Sequence, residues 1–305
     1  MKNQRVAFFG TSKYCLPVLE ALKNLPAGRQ ELVLVITRED KPVGRKQILT
    51  PSPVKQWAIK NGIKVDSSGV AASLLIAPPT AGLQNDEKVD LAIVADYGKI
   101  IKHEVYEKPK LGTFNIHFSK LPELRGPSPV QSTLLRGDKT AWITIYKLKY
   151  YPELEIKMDS GPILWQKEYP ILPDDTTESL YTRLFQEVAK EIPEIINSLA
   201  ACRLPLISQD HSKATFCKML TKDDGFIEWD LLKNSMYVAC CDRNMIPTSR
   251  VEKLYNQYRA MYPWPGIWTI KDGRRMKILK CHLEKEKIVL DEIQFEGKTP
   301  EKYKN

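Results

Sequence analysis

The sequence predicts a doubly wound α/β sheet of mostly parallel strands, followed by a smaller β-barrel domain. Two observations support this prediction. Through the first 150 or so residues, short apolar runs alternate with segments of helical periodicity, an order typical of parallel strands joined by helices. From about residue 206, short strand-like pieces follow one another at even spacing, as in a small barrel. A proline-containing segment, 200–210, separates the two patterns, so we expect domains at residues 1–205 and 206–305.

Periodicity and capping residues define the elements of the first domain. Apolar runs such as RVAFFG (5–10) predict buried strands, and Ser12 is placed to cap the helix that follows. Two later helices are predicted to end at a glycine. The predicted strands are residues 5–10, 31–37, 88–96 and 114–118, and the predicted helices are residues 12–25, 52–62, 102–107 and 128–137.

The second domain is predicted from shorter strands with turn residues between them. The pair Asp272 and Gly273 predicts a hairpin turn inside a basic stretch. A helical segment separates the first predicted strand from the others. The predicted strands are residues 225–229, 266–270, 275–283 and 287–295.

Composition is that of a soluble globular protein, with 43% hydrophobic and 27% charged residues. No apolar run is long enough to cross a membrane, and we expect the residues at the start to form a strand rather than a signal peptide. The six cysteines show no CxxC spacing, so we expect reduced thiols in a cytoplasmic protein and no metal site. The net charge of +9 is compatible with an RNA partner, although many basic proteins bind none.

Two polar residues in the strand FNIHF (114–118) are the first candidates for chemistry. Residues two apart on a strand share a face, so Asn115 and His117 point the same way, at the carboxyl end where doubly wound sheets bind ligands. A half-exposed strand with two solvated polar residues is the alternative interpretation. The loop that follows, 119–122, is bracketed by proline, and we expect its backbone polar groups to be free to hold a ligand. Asp159, before a Ser-Gly-Pro turn, is the candidate carboxylate, which would hold the imidazole in one tautomer.

Five motifs resemble those of the methionyl-tRNA formyltransferase family, in the same order and over nearly the whole chain. They are FFGTSKYCLPVLEAL (8–22), TREDKPVGRKQILTPSPVK (37–55), NIHFSKLPELRGPSPVQ (115–131), MDSGPIL (158–164) and YPWPGIWT (262–269). The resemblance extends to other folate-dependent formyltransferases through the Asn-x-His strand, the SxLPxxRG loop and the DSG turn. It implies a Rossmann-like amino-terminal domain and an OB-like carboxyl-terminal barrel.

The resemblance also implies a reaction and its site. The formyl donor would be 10-formyltetrahydrofolate, a small-molecule folate, and the acceptor would be the amino group of methionyl initiator tRNA. The implied catalytic residues are Asn115, His117 and Asp159, and the implied folate-binding residues are Ser119, Lys120, Leu121 and Pro122. The residues expected to contact tRNA, in the basic loop 37–51 and in the basic stretch 271–280, are Arg38, Lys41, Arg45, Lys46, Arg274 and Arg275. We expect a monomer that binds no membrane.

The chain departs from the family pattern at several places. Residue 120 is Lys where the family usually has Leu, and its cation would pair with the glutamate tail of folate or face water. Thirteen residues separate Ile145 from Asp159, more than the pattern has, so the reach of Asp159 towards His117 is the feature to test. The segments 25–30, 71–84 and 240–250 also differ from the pattern and are predicted to be loops.

Other functions share parts of this pattern. A sugar-nucleotide amine formyltransferase would use the same Asn, His and Asp, but has less reason for a cationic loop at 38–46. A formyl-folate hydrolase would replace the amine by water, and an inactive homologue would bind folate or RNA without transfer. A nicotinamide dehydrogenase is disfavoured because FFGTSKYC (8–15) lacks the GxGxxG fingerprint.

Overall fold

The structure, a computed structural model, describes residues 3–26, 30–44, 46–67, 88–151, 153, 158–201, 203–237 and 248–304. Its residue contacts divide the chain into two compact units, each made of three segments. The first unit comprises Met1–Arg125, Trp142–Lys167 and Thr182–Thr215, and the second comprises Gly126–Ala141, Glu168–Tyr181 and Phe216–Asn305. The sequence-based boundary at residue 205 stays a prediction.

The main sheet has seven strands: β1 (Gln4–Gly10), β2 (Gln30–Ile36), β5 (Lys64–Asp66), β6 (Leu91–Ala95), β7 (Gly112–His117), β8 (Thr140–Lys147) and β9 (Ile163–Pro170). Their order across the sheet is β5-β2-β1-β6-β7-β8-β9. The strands from β5 to β7 in this order pair in parallel, whereas β8 runs antiparallel to β7. The predicted mostly parallel, doubly wound sheet is confirmed.

Helices alternate with the strands of the first unit, as the sequence pattern predicts, and further helices belong to the second unit. Their described bounds are α1 (Leu16–Lys23), α2 (Pro53–Lys60), α3 (His103–Tyr106), α4 (Pro129–Arg136), α5 (Thr177–Ala200), α6 (Trp229–Asn234) and α7 (Thr248–Met261). The side chain of Ser12 accepts a hydrogen bond from the backbone N–H of Tyr14 and caps a short 3-10 turn, Lys13–Cys15, whereas α1 begins after this turn and has no side-chain cap. Among the described residues, no helix has the length and apolarity needed to cross a membrane.

The centre of the sheet is fully apolar and closely packed. All five residues of β6 are buried, and so are Val6, Ala7, Phe8 and Phe9 of β1. At the end of β1, a Cβ atom on Gly10 would lie 2.4 Å from the ring of Phe8 and 2.9 Å from the carbonyl oxygen of Ala95, so only glycine fits. The chain order reverses between β1 and β6, and ligands of such sheets bind at the carboxyl ends near this point.

The second unit contains an antiparallel sheet of four strands, in which each strand pairs with the next one along the chain. A tight turn at Asp272 and Gly273, with φ of 50° and 72°, joins the first two strands, as predicted. Buried side chains of Leu232, Met276 and Ile278 contribute to its core. The strand bounds are β10 (Ile267–Lys271), β11 (Arg274–Glu284), β12 (Lys287–Phe295) and β13 (Glu301–Lys302).

Two sequence-based assignments of secondary structure are wrong. In the predicted strand 225–229, Gly225 ends a 3-10 turn, Lys222–Gly225, that is capped by Thr221 and Asp224, and residue 229 begins α6, so that only an isolated β-bridge between Phe226 and Trp268 remains. The segment 37–51, predicted as a loop, contains a hairpin of β3 (Lys41–Val43) and β4 (Ile48–Thr50). The predicted loop 71–84 and most of the loop 240–250 lie outside the described residues.

Candidate active site

The carboxyl end of β7 holds the predicted Asn-x-His pair. His117 is the last residue of β7 and is 6% exposed, and Asn115 is half-buried two residues before it. Phe114 and Ile116 alternate with them and are buried in the core. The antiparallel neighbour β8 places Tyr146 opposite Asn115 and Thr144 opposite His117. The strand therefore presents an amide and an imidazole together, as the two-residue period predicts.

Asp159 reaches His117 despite the lengthened segment before it. Its Oδ2 lies 3.8 Å from Nδ1 of His117, and the two side chains are 11% and 7% exposed. Asp159 adopts a left-handed backbone conformation, with φ of 52°, which turns the chain sharply before β9. The Asn115 amide, the His117 imidazole and the Asp159 carboxylate therefore lie together in one buried corner at the carboxyl end of β7.

The tautomer of His117 is set by a backbone carbonyl group rather than by Asp159. Nε2 of His117 lies 3.0 Å from the carbonyl oxygen of Leu124, which can only accept. Nε2 therefore carries a proton, and Nδ1 is the ring nitrogen that faces the Asp159 carboxylate. This arrangement makes Nδ1 the ring atom available for the reaction.

Tyr146, which the sequence did not predict as a site residue, connects Asn115 and Asp159. Its hydroxyl group donates to Oδ1 of Asp159 at 2.6 Å and accepts from Nδ2 of Asn115 at 3.1 Å. Burial and the adjacent carboxylate raise the pKa of Tyr146 well above its usual value, so the phenol stays neutral and remains a donor. Within the sequence Tyr146 looks like an ordinary strand residue, and only its register opposite Asn115 gives it this place.

The predicted folate loop is tightly held by the protein itself. Thr144 Oγ1 donates to the carbonyl oxygen of Ser119 at 2.6 Å, and Nε2 of Gln166 donates to that of Leu121 at 2.9 Å. The carbonyl oxygens of Lys120 and Pro122 also accept backbone hydrogen bonds. All four carbonyl oxygens of the loop therefore already accept a hydrogen bond within the protein, so of the backbone polar groups predicted to be free for a ligand the carbonyls are already engaged, while a ligand role of the loop stays a prediction.

The side chains of the same loop differ in their access to solvent. Ser119 and Leu121 are each 2% exposed, whereas Pro122 is half-buried and Lys120 is exposed. Nζ of Lys120 lies 4.6 Å from the centre of the Trp142 ring, a cation–π contact. Lys120 and Pro122 are thus the members of the predicted set with side-chain surface to offer a folate.

The basic residues predicted to bind tRNA lie in two places. Lys41 and Lys46 are exposed on or beside the β3–β4 hairpin, Arg38 is half-buried, and Arg45 lies outside the described residues. The acidic neighbours Glu39 and Asp40 pair with Lys99 and Lys55, each at 2.8 Å. In the second unit, the guanidinium groups of Arg274 and Arg275 lie 4.9 Å from the Phe295 ring and 4.0 Å from the Trp268 ring.

Neither metal ligands nor reactive thiols stand out in the part of the chain that the structure describes. No group of three or more His, Cys, Asp or Glu residues lies together there in a way that could hold a metal ion. Cys15, Cys217 and Cys281 are buried and form no disulfide bond. Burial raises the pKa of Cys15 to about 12, so this thiol is inert at neutral pH.

Comparison with known proteins assigns the chain to a family. Residues 4–196 match the family described as formyl transferase, and residues 248–298 match the formyl transferase carboxyl-terminal domain. The chain belongs to the formyl transferase family. This formyl transferase is 34% identical over 283 residues to the methionyl-tRNA formyltransferase of Roseiflexus castenholzii, a match that covers 93% of this chain and 81% of that protein.

Solved structures of other formyl transferases share the fold. The methionyl-tRNA formyltransferase from Clostridium thermocellum superposes with a TM-score of 0.62 at 15% identity, over 96% of this chain and 98% of that one. An N-formyltransferase from Helicobacter canadensis, in complex with folinic acid and dTDP-3-aminofucose, superposes with a TM-score of 0.60 at 20% identity, over 92% and 88%. Members of this fold therefore include proteins solved with a folate-type ligand.

Proposed function

We propose that this formyl transferase moves a formyl group from 10-formyltetrahydrofolate to the amino group of methionyl initiator tRNA, which yields N-formylmethionyl-tRNA for translation initiation. The convergence of Asn115, His117 and Asp159 in one buried corner is the observation that carries the chemical part of this proposal. The choice of acceptor rests on the identity to methionyl-tRNA formyltransferases over most of the chain. No metal takes part in the proposed reaction.

Asn115 and His117 stabilise the charge that develops on the formyl oxygen. The amine nitrogen forms a bond to the formyl carbon, and the formyl oxygen becomes an oxyanion. One N–H of Asn115 donates to Tyr146, and its second N–H is directed to the oxyanion together with a protonated Nδ1 of His117. A positioned donor of this kind contributes about 3 kcal/mol to transition-state stabilisation.

Asp159 and His117 move the proton that the reaction releases. The attacking amine loses one proton when its bond to carbon forms, and the folate nitrogen gains one when its bond to the formyl carbon breaks. Oδ2 of Asp159 accepts the proton from the amine, and Nδ1 of His117, 3.8 Å from Oδ2 and protonated at this stage, donates a proton to the folate nitrogen; a water molecule that contacts both groups can act as the carrier. Ser119, Lys120, Leu121 and Pro122 would border the bound folate.

Cationic side chains would receive the tRNA. Lys41 and Lys46 are exposed on a hairpin whose acidic neighbours are already paired, and Arg38 and Arg45 belong to the same basic segment. Arg274 and Arg275 are stacked on aromatic rings, which leaves the edges of their guanidinium groups available for phosphate oxygens. We further propose a monomeric enzyme in the cytoplasm, where free thiols such as Cys15 persist.

One assay separates this function from its alternatives. The protein is incubated with formyl-labelled 10-formyltetrahydrofolate and one of three additions: methionyl initiator tRNA, a nucleotide-linked amino sugar, or buffer. We expect label on the tRNA. Label on the sugar would identify a sugar-nucleotide amine formyltransferase, free formate in buffer would identify a hydrolase, and unchanged donor in all three would indicate an inactive binding protein.

A further inference from the structure

Gln209 lies in the segment that follows α5 and is only 6% exposed. The segment is anchored by a pair of backbone hydrogen bonds between Ile207 and Ile163, of 2.7 and 2.8 Å, at the start of β9. Both the oxygen and the nitrogen of the Gln209 side-chain amide form hydrogen bonds within the protein. Its position next to the turn that carries Asp159 makes it the strongest candidate for an additional functional residue.

The amide nitrogen of Gln209 holds the backbone of the Asp159 turn. Nε2 donates to the carbonyl oxygen of Asp159 at 2.8 Å and to that of Gly161 at 2.6 Å. The turn is tightly constrained on its other side, since a Cβ atom on Gly161 would lie 1.8 Å from the carbonyl oxygen of Lys147. An aspartate at φ of 52° is an uncommon conformation that persists where surrounding contacts over-determine it.

Arg125 fixes the orientation of the Gln209 amide. Nε and Nη2 of Arg125 lie 3.2 and 2.6 Å from Oε1 of Gln209, and Nη2 also lies 2.9 Å from Nδ1 of His211. Because an arginine only donates, Oε1 of Gln209 must face it, and Nε2 must face the two carbonyl groups. Burial lowers the pKa of Arg125, and the nearby Asp159 carboxylate opposes this effect.

The position of the Asp159 carboxylate follows from its backbone. The side chain of an aspartate has only two torsions, so a shift of the turn moves Oδ2 relative to Nδ1 of His117 almost directly. A displacement of about 1 Å in a reacting group costs on the order of a hundredfold in rate. Contacts that fix the Asp159 and Gly161 carbonyl groups therefore act on the rate through the carboxylate.

We propose that Gln209 is a positioning residue that holds the Asp159 turn and thereby sets the distance between the Asp159 carboxylate and His117. This inference rests on the proposed function, in which Asp159 takes part in proton transfer. Gln209 itself touches no reacting atom, and its contribution passes entirely through Asp159. Substitution of Gln209 should therefore lower kcat only while the Asp159 carboxylate is present.

A double-mutant cycle between Gln209→Leu and Asp159→Asn tests this inference. In the wild-type background, we expect Gln209→Leu to lower kcat by about tenfold to a hundredfold with little change in either KM. In the Asp159→Asn background, the same substitution should lower kcat by less than about twofold, because the carboxylate it positions is gone. An equal loss in both backgrounds would overturn the proposal.

Two further variants guard against a purely structural effect. Gln257 is the matched control, since its Nε2 also donates to two carbonyl oxygens, those of Asp224 and Phe226, at 3.0 and 3.3 Å in the second unit. Gln257→Leu should leave kcat unchanged. Gln209→Glu keeps an oxygen for Arg125 but replaces the donor by a carboxylate oxygen that can only accept, so it should reproduce the loss even if Gln209→Leu folds poorly; wild-type kcat would contradict the proposal. A failure of the proposed function itself would be distinct, because Asp159→Asn alone would then retain full activity.

Discussion

The hydroxyl group of Tyr146 donates a hydrogen bond of 2.6 Å to Oδ1 of Asp159. The same hydroxyl accepts from Asn115, so one buried phenol connects two of the three residues assigned to formyl transfer. These two hydrogen bonds occupy Oδ1 of Asp159 and one N–H of Asn115. Oδ2 of Asp159 faces His117, and the second N–H of Asn115 does not bind the phenol. We infer that Tyr146 orients the amide and the carboxylate before the substrates arrive.

Tyr146→Phe should lower kcat and leave donor binding intact. The substitution removes one hydroxyl group, and with it a hydrogen bond to a buried carboxylate whose loss corresponds to about tenfold to a hundredfold in rate. Steady-state kinetics with methionyl initiator tRNA measure kcat, and a fluorescence titration measures folate affinity.

Tyr255→Phe is the matched control for this prediction. The hydroxyl group of Tyr255 donates to Oδ1 of Asp174 at 3.1 Å in the second unit, so the same atom is removed from a similar pair. We expect its kcat to equal that of the wild type. A Tyr146→Phe enzyme with wild-type kcat would exclude an orienting role for the phenol.

Charge removal on the β3–β4 hairpin should weaken tRNA binding without affecting the chemistry. Lys41→Gln and Lys46→Gln should each raise the KM for tRNA by roughly threefold and reduce its dependence on salt, since each would remove one proposed phosphate contact. The family resemblance predicts a larger effect for Arg45→Gln. Initial rates at several salt concentrations give these values, with folate affinity measured in parallel.

Lys190→Gln provides the control for the same change in charge. Lys190 lies on α5 and pairs with Glu187 at 2.7 Å, so we expect an unchanged KM for tRNA. If the hairpin variants lost folate affinity and tRNA affinity to the same degree, the hairpin would have a structural role instead.

The buried thiol of Cys15 should make stability depend on alkaline pH. Burial raises its pKa from 9.0 to about 12, so between these values the thiol ionises in the unfolded chain but not in the folded protein. Its contribution to stability is complete below pH 9 and is lost as the pH rises towards 12, at about 1.4 kcal/mol per pH unit. The free energy of unfolding of Cys15→Ala should therefore fall less steeply with pH.

Urea denaturation between about pH 9 and pH 10.5 measures this difference. The wild type and the Cys15→Ala variant should have diverging stabilities over this range, with the larger pH dependence in the wild type. Parallel curves for the two proteins would show that the thiol ionises equally in the folded and unfolded chains.

Local periodicity was sufficient to predict the sheet and part of the site. The two-residue period of β7 places Asn115 and His117 on one face, and the glycine and capping signals give the helix ends within a few residues. The reach of Asp159 could not be predicted, because it depends on a turn whose backbone is held by Gln209, fifty residues further along the chain.

Tyr146 could not be predicted for a related reason. Its role depends on the antiparallel register between β7 and β8, and neither strand carries a local signal for that pairing. The predicted strand 225–229 is reduced to one β-bridge at Phe226, because its first residue ends a capped 3-10 turn and its last residue begins a helix. Long-range contacts therefore decided the features of the site that the sequence pattern left open.

The most direct test of the account is the formylation rate of His117→Ala in a single turnover, with saturating 10-formyltetrahydrofolate and methionyl initiator tRNA. His282→Ala is the control, since His282 also pairs with a carboxylate, Asp291, at 3.0 Å but lies on β11. The account predicts that His117→Ala lowers the rate at least about a hundredfold while folate affinity is retained and His282→Ala is unaffected. A near wild-type rate for His117→Ala would contradict it.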